Sequence, residues 1–138
     1  MRFFYFYLFM AIHTLSKTER LKKRTDIALV FAKGKALMVP PVKMLYRLVP
    51  QQPGTVQMGV VASKKLFKKA VHRNRVKRLI REAYRTQNGA IKLQAQQLDV
   101  GVQVFFIYQS KELPTWAPIQ ATVQQLLEKL ADKIAKHV

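Results

Sequence analysis

A run of basic side chains in the middle of the sequence has the chemistry needed to bind phosphate groups. Ten lysines and arginines lie between Ser63 and Arg85, and Glu82 is the one acid among them. A guanidinium group binds two phosphate oxygens at once, and every phosphate that a protein neutralises releases counterions. A solvated helix face normally intersperses glutamate with lysine one turn apart, whereas this run has one acid among ten bases. The pattern therefore favours a nucleic acid as the partner of this surface.

The charge of the whole chain supports a polyanionic partner. Its 138 residues include 25 lysines and arginines against 7 aspartates and glutamates, a net charge of +18. Residues 16–35 form a second basic stretch, and the two stretches together carry 14 of the 18 excess charges. Self-repulsion of this size destabilises a compact monomer, and a polyanion relieves it. An anionic membrane is less favoured, because an interfacial helix would carry Trp, Phe and Leu on its apolar side.

Residues able to carry catalysis are few and scattered. The chain has no cysteine, which excludes disulfides, thiolate zinc sites and thiol nucleophiles. Its seven carboxylates lie singly, without DxD, ExxE or HExxH spacing, whereas a two-metal nuclease needs several converging carboxylates. His13 and His137 lie near the termini, and we interpret His72 as a packing residue or an RNA contact rather than a base. We therefore expect no catalytic residue and no metal ligand in this chain.

The elements that position the basic residues begin after an aromatic segment. Residues 3–12 read FFYFYLFMAI, ten apolar residues where a membrane-spanning helix needs about 20. We divide the chain into an N-terminal extension, residues 1–17, and a single RNA-binding domain, residues 18–138. Our interpretation of the extension is that translation naturally starts at Met10, which makes residues 1–9 an over-extended start. A signal or interfacial segment and a packed N-terminal arm are the alternatives.

Hydrophobic periodicity predicts a short first helix in the domain. Thr25 is placed to cap this helix, Asp26 lies in its first turn, and Gly34 suits its end. Ile27 and Phe31 lie one helical turn apart. These two residues either join the core or stack a base of single-stranded RNA beside a basic groove.

Two strands are expected after the break at Pro40-Pro41. Residues 42–48 and 56–62 follow strand periodicity on either side of a Pro- and Gly-containing turn, and we expect them to pair as a hairpin. Tyr46 alternates with Lys43 and Arg47 along the first of these strands. It is a further candidate for the RNA groove.

The second half of the domain predicts two helices around a buried strand. Residues 70–86 form a helix with an apolar stripe of Val76, Leu79, Ile80 and Ala83. The opposite face carries Asn74, Arg78, Arg81 and Arg85. Residues 100–108 are almost continuously apolar, which indicates a strand buried on both faces. A last helix follows Pro114, with a stripe of Ile119, Val123, Leu126, Leu127, Leu130 and Ile134. This order predicts an α+β fold with helices packed on a small sheet.

The string GVVASKKLFKKAVHRNRVKRLIREAYR, residues 59–85, resembles the protein subunit of bacterial ribonuclease P. The likeness consists of a strand, Ser-Lys-Lys, a short link, Ala-Val, and then Arg-Asn-Arg followed by Lys-Arg and Arg-Glu. The upstream string RLKKRTDIALVFAKGK, residues 20–35, resembles the first helix of the same family. The resemblance extends over residues 18–136.

The resemblance implies a fold and an activity. The fold is a small α/β sandwich of the ribosomal-protein S5 domain 2-like type, in the order helix–strands–helix–strand–helix, with a left-handed βαβ crossover. The partners are a catalytic RNA subunit and precursor tRNA, whose 5′ leader the assembled enzyme removes. Mg²⁺ is held mainly by the RNA, with no cofactor bound tightly by the protein. The protein is expected in the cytoplasm, with no membrane and no small-molecule substrate as partner.

The resemblance also assigns two groups of site residues, to which the analysis above adds Arg85 and Tyr46. Residues expected to bind the RNA subunit are Arg73, Asn74, Arg75, Lys77, Arg78, Arg81 and Arg85. Residues expected to bind the tRNA leader are Ile27, Phe31, Tyr46, Ser63, Lys64 and Lys65. Ile27 stands where the family usually has an aromatic residue.

Two other functions remain open at this point. A structural RNA-binding protein of ribosomal type, with no role in cleavage, explains the charge equally well. A DNA-binding protein would place the basic helix in the major groove. A helix that reads bases carries varied Asn, Gln, Ser and Thr among its basic residues, whereas this face is almost all arginine and lysine.

Overall fold

The computed structural model describes residues 19–50, 52 and 54–137, which form four helices and a four-stranded sheet. The elements in chain order are α1 (Arg24–Lys33), β1 (Lys35–Val39), β2 (Val42–Val49), β3 (Val56–Ala62), α2 (Ala70–Gln87), α3 (Gly89–Leu98), β4 (Gly101–Tyr108) and α4 (Trp116–His137). The predicted α+β class is confirmed. The expectations for residues 1–17 lie outside the described residues.

The sheet is mixed, and its strand order is β1-β2-β4-β3. β1 pairs antiparallel with β2, and β2 pairs antiparallel with β4, whereas β3 lies parallel to β4. The predicted hairpin between residues 42–48 and 56–62 is therefore wrong, because β4 separates the two strands. β2 instead forms its hairpin with β1 across the cis peptide bond Pro40-Pro41. The central place of β4 agrees with its apolar content on both faces.

Parallel neighbours require a crossover connection, which α2 and α3 supply between β3 and β4. The predicted central helix is confirmed as α2, and Asn88 follows its last residue. The sequence analysis did not predict α3. Asp99 ends this helix in the left-handed conformation, with a φ of 56°, and its N–H group bonds to the last turn.

The main core lies between one face of the sheet and the two long helices, α2 and α4. From the predicted α2 stripe, Val76, Ile80 and Ala83 are buried, and all six residues of the α4 stripe are buried. Tyr84 of α2 meets Phe106 of β4 at a ring-centroid distance of 6.0 Å. Each large apolar side chain buried in this way contributes about 1.5–3 kcal/mol to folding. This layer therefore holds α2 firmly with its opposite face in solvent.

The other face of the sheet is covered in part by α1. Val30 is fully buried against Leu45 and Phe105, and Ile27 is partly buried beside them. α1 begins at Arg24 after Lys23, whose carbonyl oxygen accepts the Ile27 N–H bond, so the predicted cap at Thr25 is wrong.

Two other features predicted for α1 are confirmed. Asp26 lies in the first turn, and Gly34 ends the helix, where its N–H group bonds to the Val30 carbonyl oxygen at 2.8 Å. A Cβ at position 34 would overlap that same oxygen, which explains the glycine.

Candidate nucleic-acid interface

α2 presents a row of polar and cationic side chains on the side opposite its buried stripe. Asn74, Arg75, Arg78 and Arg81 are exposed, and Lys77 is half-buried. The pKa of Arg81 is lowered from its ordinary value, first by partial burial and then by the nearby positive charge of Arg20. The segment before α1 thus adds a cation to the α2 row, and the mutual repulsion favours a bound polyanion.

Two arginines of the same helix have partners within the protein. Arg73 Nη1 donates hydrogen bonds to the carbonyl oxygens of Phe67 and Lys68, at 2.8 and 2.9 Å. Arg85 forms a charge-assisted hydrogen bond with Glu82, one turn earlier in the helix. The structure therefore separates the predicted RNA-binding residues into an exposed group and two that stabilise the fold locally.

The link between β3 and α2 positions the predicted Ser-Lys-Lys residues. The Ser63 hydroxyl accepts a hydrogen bond from the Lys65 N–H group at 3.0 Å, and Lys64 and Lys65 are exposed. This local turn ends β3 and turns the two lysines into solvent. The bonds from Arg73 hold the far end of the same link against the first turn of α2.

A groove lies on the open face of the sheet, beside α1. Phe31 is 50% exposed and contacts Phe105 of β4 edge to face, with ring centroids 5.0 Å apart. Ile27 is more enclosed and packs with Leu45 and Phe105. Of the two residues, Phe31 is thus the one that offers a free aromatic surface to a base.

A polar ladder crosses three strands on this face. Arg47 of β2 donates to Gln103 Oε1 of β4 from Nε and Nη2, at 3.2 and 2.9 Å. Gln103 in turn donates to Gln57 Oε1 of β3 at 3.1 Å, and Asp26 lies 3.9 Å from Arg47. Sequence analysis missed Gln57 and Gln103. The sequence did contain a signal for this ladder, because Gln103 is the one amide side chain in the otherwise apolar strand β4.

The predicted leader-binding residues do not all meet in this groove. Gln103 pairs with Arg47 at the level of the polar side chains, whereas Tyr108, five residues further along β4, pairs with Ala62 at the end of β3. The Ser-Lys-Lys residues that follow Ala62 are therefore about 17 Å from Gln103. The two lysines therefore stand at one end of the groove.

Tyr46 lies on the opposite sheet face, in contrast to its predicted place in the groove. It is 6% exposed and belongs to the main core, and burial raises the pKa of its hydroxyl. The alternation that directs Lys43 and Arg47 to the open face directs Tyr46 away from it.

Comparison with known families settles which of the open functions applies. The family model described as Ribonuclease P matches residues 15–131 of the chain. The chain belongs to the ribonuclease P protein family. Ribonuclease P is an endonuclease that processes tRNA, and members of this family are its protein subunit.

Relatives and solved structures agree with membership of the ribonuclease P protein family. The ribonuclease P protein component of Porphyromonas gingivalis is 38% identical over 121 residues, which cover 87% of this chain and 88% of the relative. That of Chlorobium phaeobacteroides is 28% identical over 130 residues, covering 86% and 89%. The Thermotoga maritima RNase P protein superposes with a TM-score of 0.65 at 28% identity, over 80% of this chain and 96% of that one.

A Staphylococcus aureus RNase P protein has the same fold, with a TM-score of 0.68 at 24% identity, over 83% and 96% of the two chains. Within the part of the chain that the structure describes, no helix is both long and apolar enough to cross a membrane. Across the same residues, no three histidine or carboxylate side chains come together as a metal site.

Proposed function

We propose that this chain binds the catalytic RNA of ribonuclease P through the exposed row of α2 and the 5′ leader of precursor tRNA through the groove beside α1. The observation that carries the proposal is the placement of the two surfaces. An exposed row of arginines faces outward from one side of the sheet, while an exposed aromatic ring lies over the other side. Phosphate-rich helical RNA suits the first surface, and an unstacked single strand suits the second.

The proposal places cleavage chemistry in the RNA. Mg²⁺ would be held mainly by the partner RNA, and the protein would add binding and positioning without a tightly bound cofactor. The scattered carboxylates of the sequence support this division, because catalytic Mg²⁺ sites need converging oxygen ligands. The site of action would be the cytoplasm, with no membrane and no small molecule as partner.

Reconstitution tests the proposal directly. Purified protein freed of RNA should not cleave precursor tRNA in Mg²⁺, whereas protein combined with the ribonuclease P RNA of the same genome should release the 5′ leader. Sequencing the RNA that copurifies with the protein gives an independent measurement. Cleavage at the mature 5′ end by the RNA-free protein contradicts the proposal. Copurification of ribosomal RNA alone would favour the structural alternative.

A further inference from the structure

A basic cavity lies where the end of α1, the start of β1 and the last turns of α4 meet. Its volume is about 490 Å³, within the range of sites that bind ligands the size of a nucleotide. We call it the α4 pocket. Its lining residues are Lys33, Lys35, Tyr46, Arg47, Leu48, Lys133 and Lys136. Five of these seven residues are cations and none is an acid, so the cavity is suited to an anionic ligand.

Helix ends do not account for this concentration of charge. Lys33 lies in the last turn of α1 and Lys136 in the last turn of α4, where cations offset the partial negative charge of a helix C-terminus. Each helix end carries the equivalent of about half a negative charge. Two ends therefore offset about one of the five positive charges, and Asp26, 3.9 Å from Arg47, offsets another. The other three repel one another unless an anion enters the pocket.

Tyr46 and Leu48 give the α4 pocket a wall that is not purely electrostatic. The Tyr46 ring is held by the main core, so its position is fixed before any ligand arrives. No hydrogen bond joins its hydroxyl to another of the described residues. A rigid phenol beside several lysines is a suitable surface for a nucleotide, whose phosphate and sugar supply the matching groups.

The pocket continues from the groove on the open face of the sheet. Arg47 lines the pocket, while its guanidinium group is bonded to Gln103 on the groove side. Lys33, which also lines the pocket, lies two residues after Phe31, so the end of α1 borders both the groove and the pocket. A strand that passes over Phe31 thus meets cations on leaving the groove.

We infer that the α4 pocket binds the phosphates of leader nucleotides that extend beyond the groove. This inference rests on the proposed binding of the leader in that groove. Precursor tRNAs with long leaders would use both places, and those with short leaders would use the groove alone. The pocket would thereby give the protein a preference for leader length.

A length series of leaders tests the inference in the assembled holoenzyme. The variants are Lys133→Gln, Lys136→Gln and the double variant, and their control is Lys111→Gln. Lys111 is an exposed lysine near the start of α4, so the control removes the same charge about 30 Å away along the helix. Each lost phosphate contact removes about 0.7 from the single-strand salt slope, or about fivefold in affinity near 0.1 M salt. The variants should show this loss for long leaders and not for short ones, and the control for neither.

Lysine acetylation followed by mass spectrometry gives a readout that needs no variant. A long leader should protect Lys133 and Lys136 from acetylation in the wild-type holoenzyme, and a short leader should not.

Four outcomes contradict the inference. An equal loss of affinity by the variants for long, short and absent leaders would overturn it and assign the pocket to the RNA subunit. Equal protection by adenosine monophosphate alone would overturn it in favour of a free nucleotide. Unchanged binding by all variants would also overturn it. If the wild-type holoenzyme ignores the leader altogether, the proposed function fails, and this inference fails with it.

Discussion

Phe31 is half exposed, although it directly follows the fully buried Val30 and lies one helical turn from the partly buried Ile27. Its ring rests on Phe105 and leaves its outer face free. A core residue at this position would be enclosed, as Val30 is. The sequence left open whether Phe31 joins the core or binds a base. The ring packs on Phe105 and keeps an outer face free for the proposed stacking.

Replacing Phe31 with alanine should reduce the advantage that a 5′ leader gives to substrate binding by about 1–3 kcal/mol, the contribution of stacking one base. The measurement compares the affinity of the holoenzyme for precursor and mature tRNA. Leu93→Ala is the matched control, because Leu93 is 55% exposed on α3, away from the groove. Melting curves of both variants separate loss of binding from loss of fold. Unchanged leader discrimination in a folded Phe31→Ala protein would rule out stacking.

Replacing Arg78 and Arg81 together with alanine should weaken binding to the catalytic RNA. Both side chains lie opposite the buried stripe of α2, so the fold should tolerate their loss. Each lost phosphate contact should flatten the log–log salt dependence by about 0.7–0.9. The control is the Lys111→Ala and Lys129→Ala double variant, which removes the same charge elsewhere. An Arg variant that assembles normally yet loses leader discrimination would mean that the two surfaces are assigned the wrong way round.

Arg73 and Arg75 should behave differently although they flank one asparagine. Arg73→Ala removes two hydrogen bonds to the link before α2, and we expect the free energy of unfolding to fall by about 1–3 kcal/mol. Arg75 is exposed, so Arg75→Ala should leave stability unchanged and weaken RNA binding. Denaturant unfolding and RNA titration of each variant distinguish the two roles. Equal stability of the two variants would show that the Arg73 bonds contribute nothing.

At the scale of elements, the polar ladder joins three strands under the groove. Gln103 is 1% exposed and both accepts from Arg47 and donates to Gln57. Gln103→Leu keeps the side-chain size but removes all three hydrogen bonds, which should cost about 1–3 kcal/mol in denaturant unfolding. Gln125→Leu, at an exposed position of α4, is the control. A Gln103→Leu protein as stable as the wild type would show that an apolar strand serves equally well.

Periodicity was sufficient to find the elements with long apolar patterns. α2 and α4 carry strong helical repeats, and β4 is a continuous apolar run. All six predicted residues of α4 are buried, whereas in α2 the repeat selected the half-buried Leu79 and missed the buried Tyr84. β1 was missed because it has five residues at the edge of the sheet, too few to establish alternation. α3 was missed because it opens with glycine and is rich in glutamine, which gives it a weak apolar stripe.

Strand pairing and side-chain partners required the folded chain. Alternation identifies a residue as part of a strand, but the neighbour of that strand depends on distant segments. β4, some 40 residues after β3, therefore replaced the expected hairpin partner of β2. Composition likewise identifies Arg73 as a cation without revealing that the backbone of its own link binds it. Tyr46 shows the same limit, because the groove lies on the other face of its strand.

The charge of the whole molecule should make its stability depend on salt. A net charge of +18 on one small domain is self-repulsive, and the charges are screened over about 30 Å at 0.01 M salt but about 8 Å at 0.15 M. The melting temperature of the RNA-free protein should therefore rise between these conditions, by several degrees if about 1 kcal/mol of repulsion is relieved. Arg78→Ala combined with Arg81→Ala should reduce this rise. A melting temperature independent of salt would show that the folded charges are already well separated.

The groove and the exposed row of α2 lie on opposite sides of one packed slab. Between them are the sheet and the buried half of α2, a thickness of about 15 Å when a helix lies about 10 Å from the layer on which it packs. Because interiors of this kind are close-packed and compress little, the separation is a fixed length. In the proposed function the protein is thus a rigid spacer, which sets the distance between the RNA bound at α2 and the leader in the groove. The fold then sets the separation between the two RNA-binding surfaces. A core substitution that changes the spacing between α2 and the sheet would alter this separation without changing a residue of either surface.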